Sequence, residues 1–238
     1  MKNMSTKGIV FDLFQTLVDP EEFRPKEYRR AQAAADILGL DKVAFFAYWK
    51  ETQQERMTTS KPELQYVKDF VVNSGKTPPS SRALERADEA LGCYEDLALL
   101  KPRKDVVAPI KRLASRGYRL GLLSNTYERF VREWPNSPLA SSFDATAFSD
   151  EIGVMKPERK AYVVILRRLR LDAKVCAYVG DGGSQELIGA KGAGFRRVVF
   201  MKKFVSRNGM KNAEELQEIA GQADVSVDDF EDLERNLA

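Results

Sequence analysis

The segment Lys7-Gly-Ile-Val-Phe-Asp-Leu-Phe-Gln-Thr-Leu-Val-Asp19 decides how this chain folds. Ile9, Val10 and Phe11 form a short unbroken apolar run, the pattern of a strand buried on both faces of a parallel sheet. Asp12 follows at once, where such a strand surfaces, and Leu17-Val18 restore the apolar character after Thr16. A carboxylate at the carboxyl end of a central strand stands where open α/β sheets bind their ligands. Asp also ends strands as an ordinary turn residue, so this stretch alone supports both readings equally.

Outward from it, the 238 residues suffice for a sizeable core, in one large domain or one domain plus an insertion. The net charge of +3 comes from 38 basic and 35 acidic residues, well interspersed, which gives no footprint for nucleic acid or a membrane surface. The apolar runs are too short to span a bilayer, and no apolar signal region precedes the first strand. Cys93 and Cys176 lie in unrelated contexts, as expected of reduced thiols in a cytoplasmic protein. The sequence contains 0 histidines, which excludes Ser-His-Asp and Cys-His catalysis, His-ligated zinc and a His general base. Chemistry must then rest on carboxylates, hydroxyls, amides and lysine, with or without a hard metal ion.

From Pro20 to about Leu97 the pattern is helical, with helices expected over 27–38, 42–56, 64–72 and 82–97. This block reads as an inserted all-helical domain, residues 20–98, between the two parts of a core at 1–19 and 99–238. Strand and helix then alternate. Strands are expected at 118–123, 143–148, 175–179 and 197–201, helices at 106–116, 127–133, 158–169 and 186–193, and a helical tail at 211–220 and 227–237. That alternation implies an α/β fold, a doubly wound parallel sheet with a Rossmann-like core. Gly180 and Gly182 with the later glycines fail the spacing of a dinucleotide loop, and they come late in the chain.

Loops after parallel strands open on one edge of the sheet. Asp12, Ser124 and Asp181 each follow an apolar strand, and Lys156 follows a fourth by a longer turn. With Thr16, that gathers two carboxylates, two hydroxyls and an ammonium. Unpaired buried charge costs several kcal/mol, so such a group pairs internally or binds an ion.

Four segments resemble, in order, the motifs of the haloacid dehalogenase superfamily, most of whose members are phosphohydrolases. They are Phe-Asp-Leu-Phe-Gln-Thr-Leu (11–17), Leu-Leu-Ser-Asn (122–125), Met-Lys-Pro-Glu (155–158) and Val-Gly-Asp-Gly-Gly-Ser-Gln-Glu-Leu (179–187). The helical insertion resembles the family's mobile cap. The resemblance implies that Asp12 attacks phosphorus and forms an aspartyl-phosphate. It implies Mg2+ on the Asp12 carboxylate, the backbone carbonyl of Phe14 and Asp181, with Glu186 supporting the metal site from outside. Thr16, Ser124, Asn125 and Lys156 would hold the phosphoryl group of a small phosphorylated substrate, and Lys156 would balance the Asp12 charge.

Phe14 departs from the pattern. Most phosphatases of the family have a second Asp there, which protonates the leaving group. The dehalogenases of the family have an aromatic residue and work without a metal, so metal-independent 2-haloacid dehalogenation is the alternative, and a weak or inactive binding protein a further one. Dehalogenases lack the Gly-Asp pair of the fourth motif, whereas Gly180-Asp181 is present here, which favours the magnesium-dependent phosphohydrolase. Without an acid at 14, proton donation falls to water, the substrate or a cap carboxylate such as Glu21 or Glu22. Tyr28, Trp49 and Arg56 are cap side chains within conceivable reach of substrate, though helix packing explains each equally well.

Overall fold

The computed structural model describes residues 6–205 and 211–237. Six strands, β1 (Gly8–Phe11), β2 (Arg119–Ser124), β3 (Ala145–Phe148), β4 (Cys176–Gly180), β5 (Arg197–Met201) and β6 (Val225–Val227), form one sheet. Every pairing is parallel, and the order is β3-β2-β1-β4-β5-β6. The chain lays β2 and β3 on one side of β1, then crosses to place β4, β5 and β6 on the other. The winding reverses between β1 and β4, and the crevice at such a reversal is where doubly wound sheets take their ligands.

Between β1 and β2 come α1 (Arg30–Ile37), α2 (Lys42–Glu51), α3 (Gln53–Arg56), α4 (Glu63–Asn73), α5 (Ser81–Leu100) and α6 (Lys104–Ser115). The later helices are α7 (Glu128–Val131), α8 (Ser149–Ile152), α9 (Arg159–Leu169), α10 (Glu186–Ala193), α11 (Ala213–Gln222) and α12 (Phe230–Asn236). Strand side chains alternate between faces. Ile9, Phe11, Leu122 and Val179 pack with Ile110 of α6 and Phe230 of α12. Val10, Leu123, Tyr178 and Phe200 pack with Ile165 of α9 and Leu187 of α10. Burial on both faces explains why the strands read as unbroken apolar runs. A third cluster, including Ala34, Phe45, Trp49, Tyr66 and Leu91, joins α1, α2, α4 and α5 to one another. Arg129 of α7 ties these helices to the sheet edge through a two-pronged pair with Asp96, at 2.8 and 2.9 Å.

Two expectations need correction. Val227, expected to open a helix over 227–237, instead closes an edge strand, Val225–Val227, paired with Val199–Met201. Three residues are too few for periodicity to separate strand from helix, and tertiary pairing decides. The helix expected over 42–56 breaks at Thr52. The Thr52 hydroxyl donates to the Tyr48 carbonyl at 2.9 Å and accepts from Arg56 at 2.6 Å, and back-bonding of this kind bends helices. Among the described residues, no helix is long and apolar enough to cross a membrane.

Candidate active site

Asp12 leaves β1 at the winding reversal, and its own N–H prolongs the ladder to the Val179 carbonyl at 2.9 Å. Its carboxylate is buried. Lys156 Nζ donates to Asp12 Oδ1 at 2.5 Å, to Glu186 Oε2 at 2.5 Å and to the Tyr178 hydroxyl at 3.2 Å. The Thr16 hydroxyl donates to the other Asp12 oxygen at 3.0 Å. Glu186 further accepts from the Tyr178 hydroxyl at 2.7 Å and from the Gly182 amide at 3.1 Å. Asp181, just past β4, accepts from the Gly183 amide at 2.9 Å. One carboxylate oxygen from each of Asp12, Asp181 and Glu186 lies within 4.8 Å of the others.

Local backbone geometry sets these positions. The turn after Asp12 closes with Leu17 N–H donating to the Leu13 carbonyl at 2.8 Å, and Gln15 takes φ 62°; this returns Thr16 to its partner. The Asn125 amide grips the Lys156 backbone from both sides, with Nδ2 donating to its carbonyl and Oδ1 accepting from its N–H, each at 2.8 Å. Asn125, expected to bind substrate, thus holds the Lys156 loop in place. Ser184 and Gln185 adopt φ 51° and 53°, a left-handed conformation costly for residues with a Cβ. It carries the chain from Asp181 to Glu186 so that both carboxylates face the same cavity.

Three carboxylates share one ammonium here. Burial, the largest cause, pushes Asp12 up to about 6, with the Lys156 charge opposing it and Glu186 reinforcing it. Burial also raises Asp181 and Glu186. Burial disfavours the Lys156 charge too, but Asp12 and Glu186 together hold it above its ordinary range. A second lysine, Lys211, stands 4.0 Å from Asp181, beyond hydrogen-bonding distance. With Lys156 among the carboxylates and Lys211 beside Asp181, the ionised cluster keeps between about one and two uncompensated negative charges, which a hard divalent cation with oxygen ligands would neutralise.

The cavity over the cluster holds about 140 Å³ and is lined by Asp12, Phe14, Ser124, Asn125, Lys156, Asp181, Gly183, Ser184 and Glu186. It brings together Asp12, Ser124, Lys156 and Asp181, whereas Thr16 does not line it and reaches the group through its bond to Asp12. Glu186, read as an outer support, has its carboxylate inside the cluster itself. Neither Glu21 nor Glu22 lines the cavity. Glu21 pairs with Arg24 and Glu22 with Arg103 at 3.0 Å, so neither supplies the missing proton donor from this position. Tyr28, Trp49 and Arg56 line a different cavity. The sequence does not separate Tyr178 from the core, because a tyrosine within an apolar run has the pattern of a packing residue. Its place three residues before Asp181, on the strand face that α10 covers, was the available signal.

Gly180 is required by the packing. A Cβ there would collide with Glu186 Oε1 and lie 3.1 Å from Tyr178 Cε1. Gly180→Ala is expected to cost about 1–3 kcal/mol of stability by thermal or denaturant unfolding, because the buried Glu186 must leave its bonded position.

Residues 6–194 match the family model of the haloacid dehalogenase-like hydrolases, and the chain belongs to that family of hydrolases. Among curated relatives, it is 26% identical over 194 residues to a glyceraldehyde 3-phosphate phosphatase of Methanopyrus kandleri, covering 79% of this chain and 81% of that protein. It is 25% identical over 173 residues to a (S)-2-haloacid dehalogenase of Pseudomonas putida, covering 71% and 72%. In fold it is similar to a HAD phosphatase from Thermococcus onnurineus, with TM-score 0.62, 20% identity and 98% of each chain covered.

Proposed function

We propose that this chain is a magnesium-dependent phosphohydrolase that acts on a small phosphorylated molecule through an aspartyl-phosphate on Asp12. The observation that carries the reading is three carboxylates within 4.8 Å of one another at the winding reversal, those of Asp12 and Glu186 buried and that of Asp181 half-buried, with the Lys156 ammonium among them. Asp12, Asp181 and Glu186, with the backbone carbonyl of Phe14, would hold the ion. When bound, it supplies the positive charge that lets a phosphate approach this acidic pocket. Asp12 is the nucleophile: a carboxylate oxygen bonds to phosphorus as the ester oxygen leaves, and water then cleaves the acyl-phosphate to restore it. Lys156 keeps that carboxylate ionised and meets charge on the phosphoryl oxygens. Thr16 fixes its rotamer, and Ser124 at the end of β2 faces the same cavity. Residues 20–98 act as the cap over a core of 1–19 and 99–238, supported by their separate apolar cluster. The free thiols of Cys93 and Cys176 support a reducing, cytoplasmic setting.

The test is phosphate release from 4-nitrophenyl phosphate. Chelation should lower the rate by about 10²-fold or more, and added magnesium should restore it. Undiminished turnover in chelator would sink the reading.

Phe14 favours a second reading, 2-haloacid dehalogenation, because its ring occupies the cavity wall where a proton donor is needed. That reading expects chloride release from 2-chloropropionate in the presence of chelator. The charge excess of the carboxylate cluster speaks against it.

A further inference from the structure

A second cavity, of about 360 Å³, is bordered by α1, α2, α3 and α7 and shares no lining residue with the one over Asp12. Its charged lining is entirely cationic: Arg24, Arg29, Arg30, Lys50 and Arg56. Trp49, Tyr127 and Arg56 are buried at the base, whereas Arg29 and Lys50 are exposed. Tyr28 and Phe130 add aromatic wall.

Three of the cations are balanced. Arg24 pairs with Glu21, Arg30 with Glu95 at 2.6 Å, and Arg56 with Glu63 at 2.9 Å. The other two have no acidic partner among the described residues. Arg29 donates to the carbonyls of Lys26 and Tyr28 at 2.7 and 3.1 Å, and Lys50 has its ammonium 5.9 Å from the Phe46 ring centre. Arg24 is held below its ordinary range, first by burial and then by the Arg30 charge, as crowding of like charges requires. At the base, Arg56 Cζ lies 3.8 Å from the Trp49 ring centre, and its Nη2 makes no hydrogen bond among the described residues.

We propose that this cavity binds a dianionic group carried on a planar aromatic body. The anion meets Arg29 and Lys50, and the ring packs over the base against the accessible parts of Tyr28, Phe46 and Phe130, with Trp49 and Arg56 beneath it. A bare anion does not suit the base, since it would lose hydration against apolar rings. The ring-borne dianion is either the far end of the substrate whose phosphoryl group reaches Asp12, or a separate small molecule.

Tryptophan fluorescence reads the site directly. The chain has 2 tryptophans; Trp49 lines the cavity and Trp134 is buried in the sheet core. Phenylphosphonate titrated into the full chain in chelator should give a saturable change. In Arg29→Ala/Lys50→Ala, whose exposed positions leave the melting temperature unmoved, its Kd should rise about tenfold or more. Inorganic phosphate, lacking the ring, should bind at least about tenfold more weakly than phenylphosphonate. Equal affinity in parent and double variant, or a response that survives in Trp49→Phe, overturns the proposal.

Steady-state kinetics separate the two sources. If the site takes the far end of the substrate, KM for 1,4-phenylene bisphosphate lies below that for phenyl phosphate. The double variant then raises only the former, with kcat unchanged. If it takes a separate molecule, both KM values hold while the fluorescence affinity still falls. The binding readout needs no turnover, so an absence of phosphatase activity counts against the phosphohydrolase reading and leaves this site standing.

Discussion

Asp12→Asn should lower kcat by at least about 10⁴-fold with every phosphorylated substrate, because an amide cannot form the acyl-phosphate and the other carboxylates of the cavity, Asp181 and Glu186, are assigned to the metal. The variant should still fold. Lys156 retains Glu186 as its partner at 2.5 Å, so no charge is stranded, and the neutral amide removes one of three crowded carboxylates. The direction of the pH effect follows from burial, which pushes Asp12 up to about 6 from 3.8. A raised carboxyl pKa means that the folded state binds more protons than the unfolded chain between those values. The stability it contributes is present below about 3.8 and is lost as pH rises through about 6. Unfolding in chelator should therefore show the parent losing stability relative to Asp12→Asn across that window. A variant that unfolds like the parent yet retains more than about one percent of parental kcat would remove Asp12 from the nucleophile's role.

The parts of this site that were legible in the sequence are those that a parallel sheet guarantees. Asp12, Ser124 and Asp181 each end an apolar strand, and topology alone carries such ends to one edge. What stayed hidden depends on rotation and register. Tyr178 faces Glu186 because alternation along β4 sends it to the α10 side, and an apolar run does not say which face the chemistry lies on. Asn125 was legible as polar and close to the site, but its grip on the Lys156 backbone depends on how the loop after Gly153 folds back. Tyr28, Trp49 and Arg56 were visible as insertion residues, whereas their convergence on one cationic cavity depends on the packing of α1 against α2 and on the break at Thr52. The break itself was unreadable, since Thr52 lies within good helix formers and acts through the Tyr48 carbonyl. The short edge strand Val225–Val227 was lost for want of length.

Phe14→Asp should restore the proton donor that this site lacks, and leaving-group dependence is its signature. Phe14 lies two residues past Asp12 on the cavity wall, with its ring packed edge-on to Phe130 at 6.3 Å between centres. A carboxyl placed beside the Asp12, Asp181 and Glu186 carboxylates is driven to its protonated form, the state a general acid needs at neutral pH. Positioned proton transfer is worth about 10²–10⁴-fold. The expected gain in kcat is therefore about 10²-fold or more for an alkyl phosphate, whose alkoxide leaves poorly, and under about threefold for 4-nitrophenyl phosphate, whose leaving group needs no proton. Loss of the ring contact should cost about 1–3 kcal/mol of stability, less than a fully buried phenylalanine because Phe14 is only half-buried. Phe14→Asn is the control: it has the same shape with no proton to give, so it should pay the stability cost without the kinetic gain. If Asn matches Asp, or if both esters speed up alike, the slow step is not leaving-group protonation, and the low acidity of position 14 does not limit this enzyme.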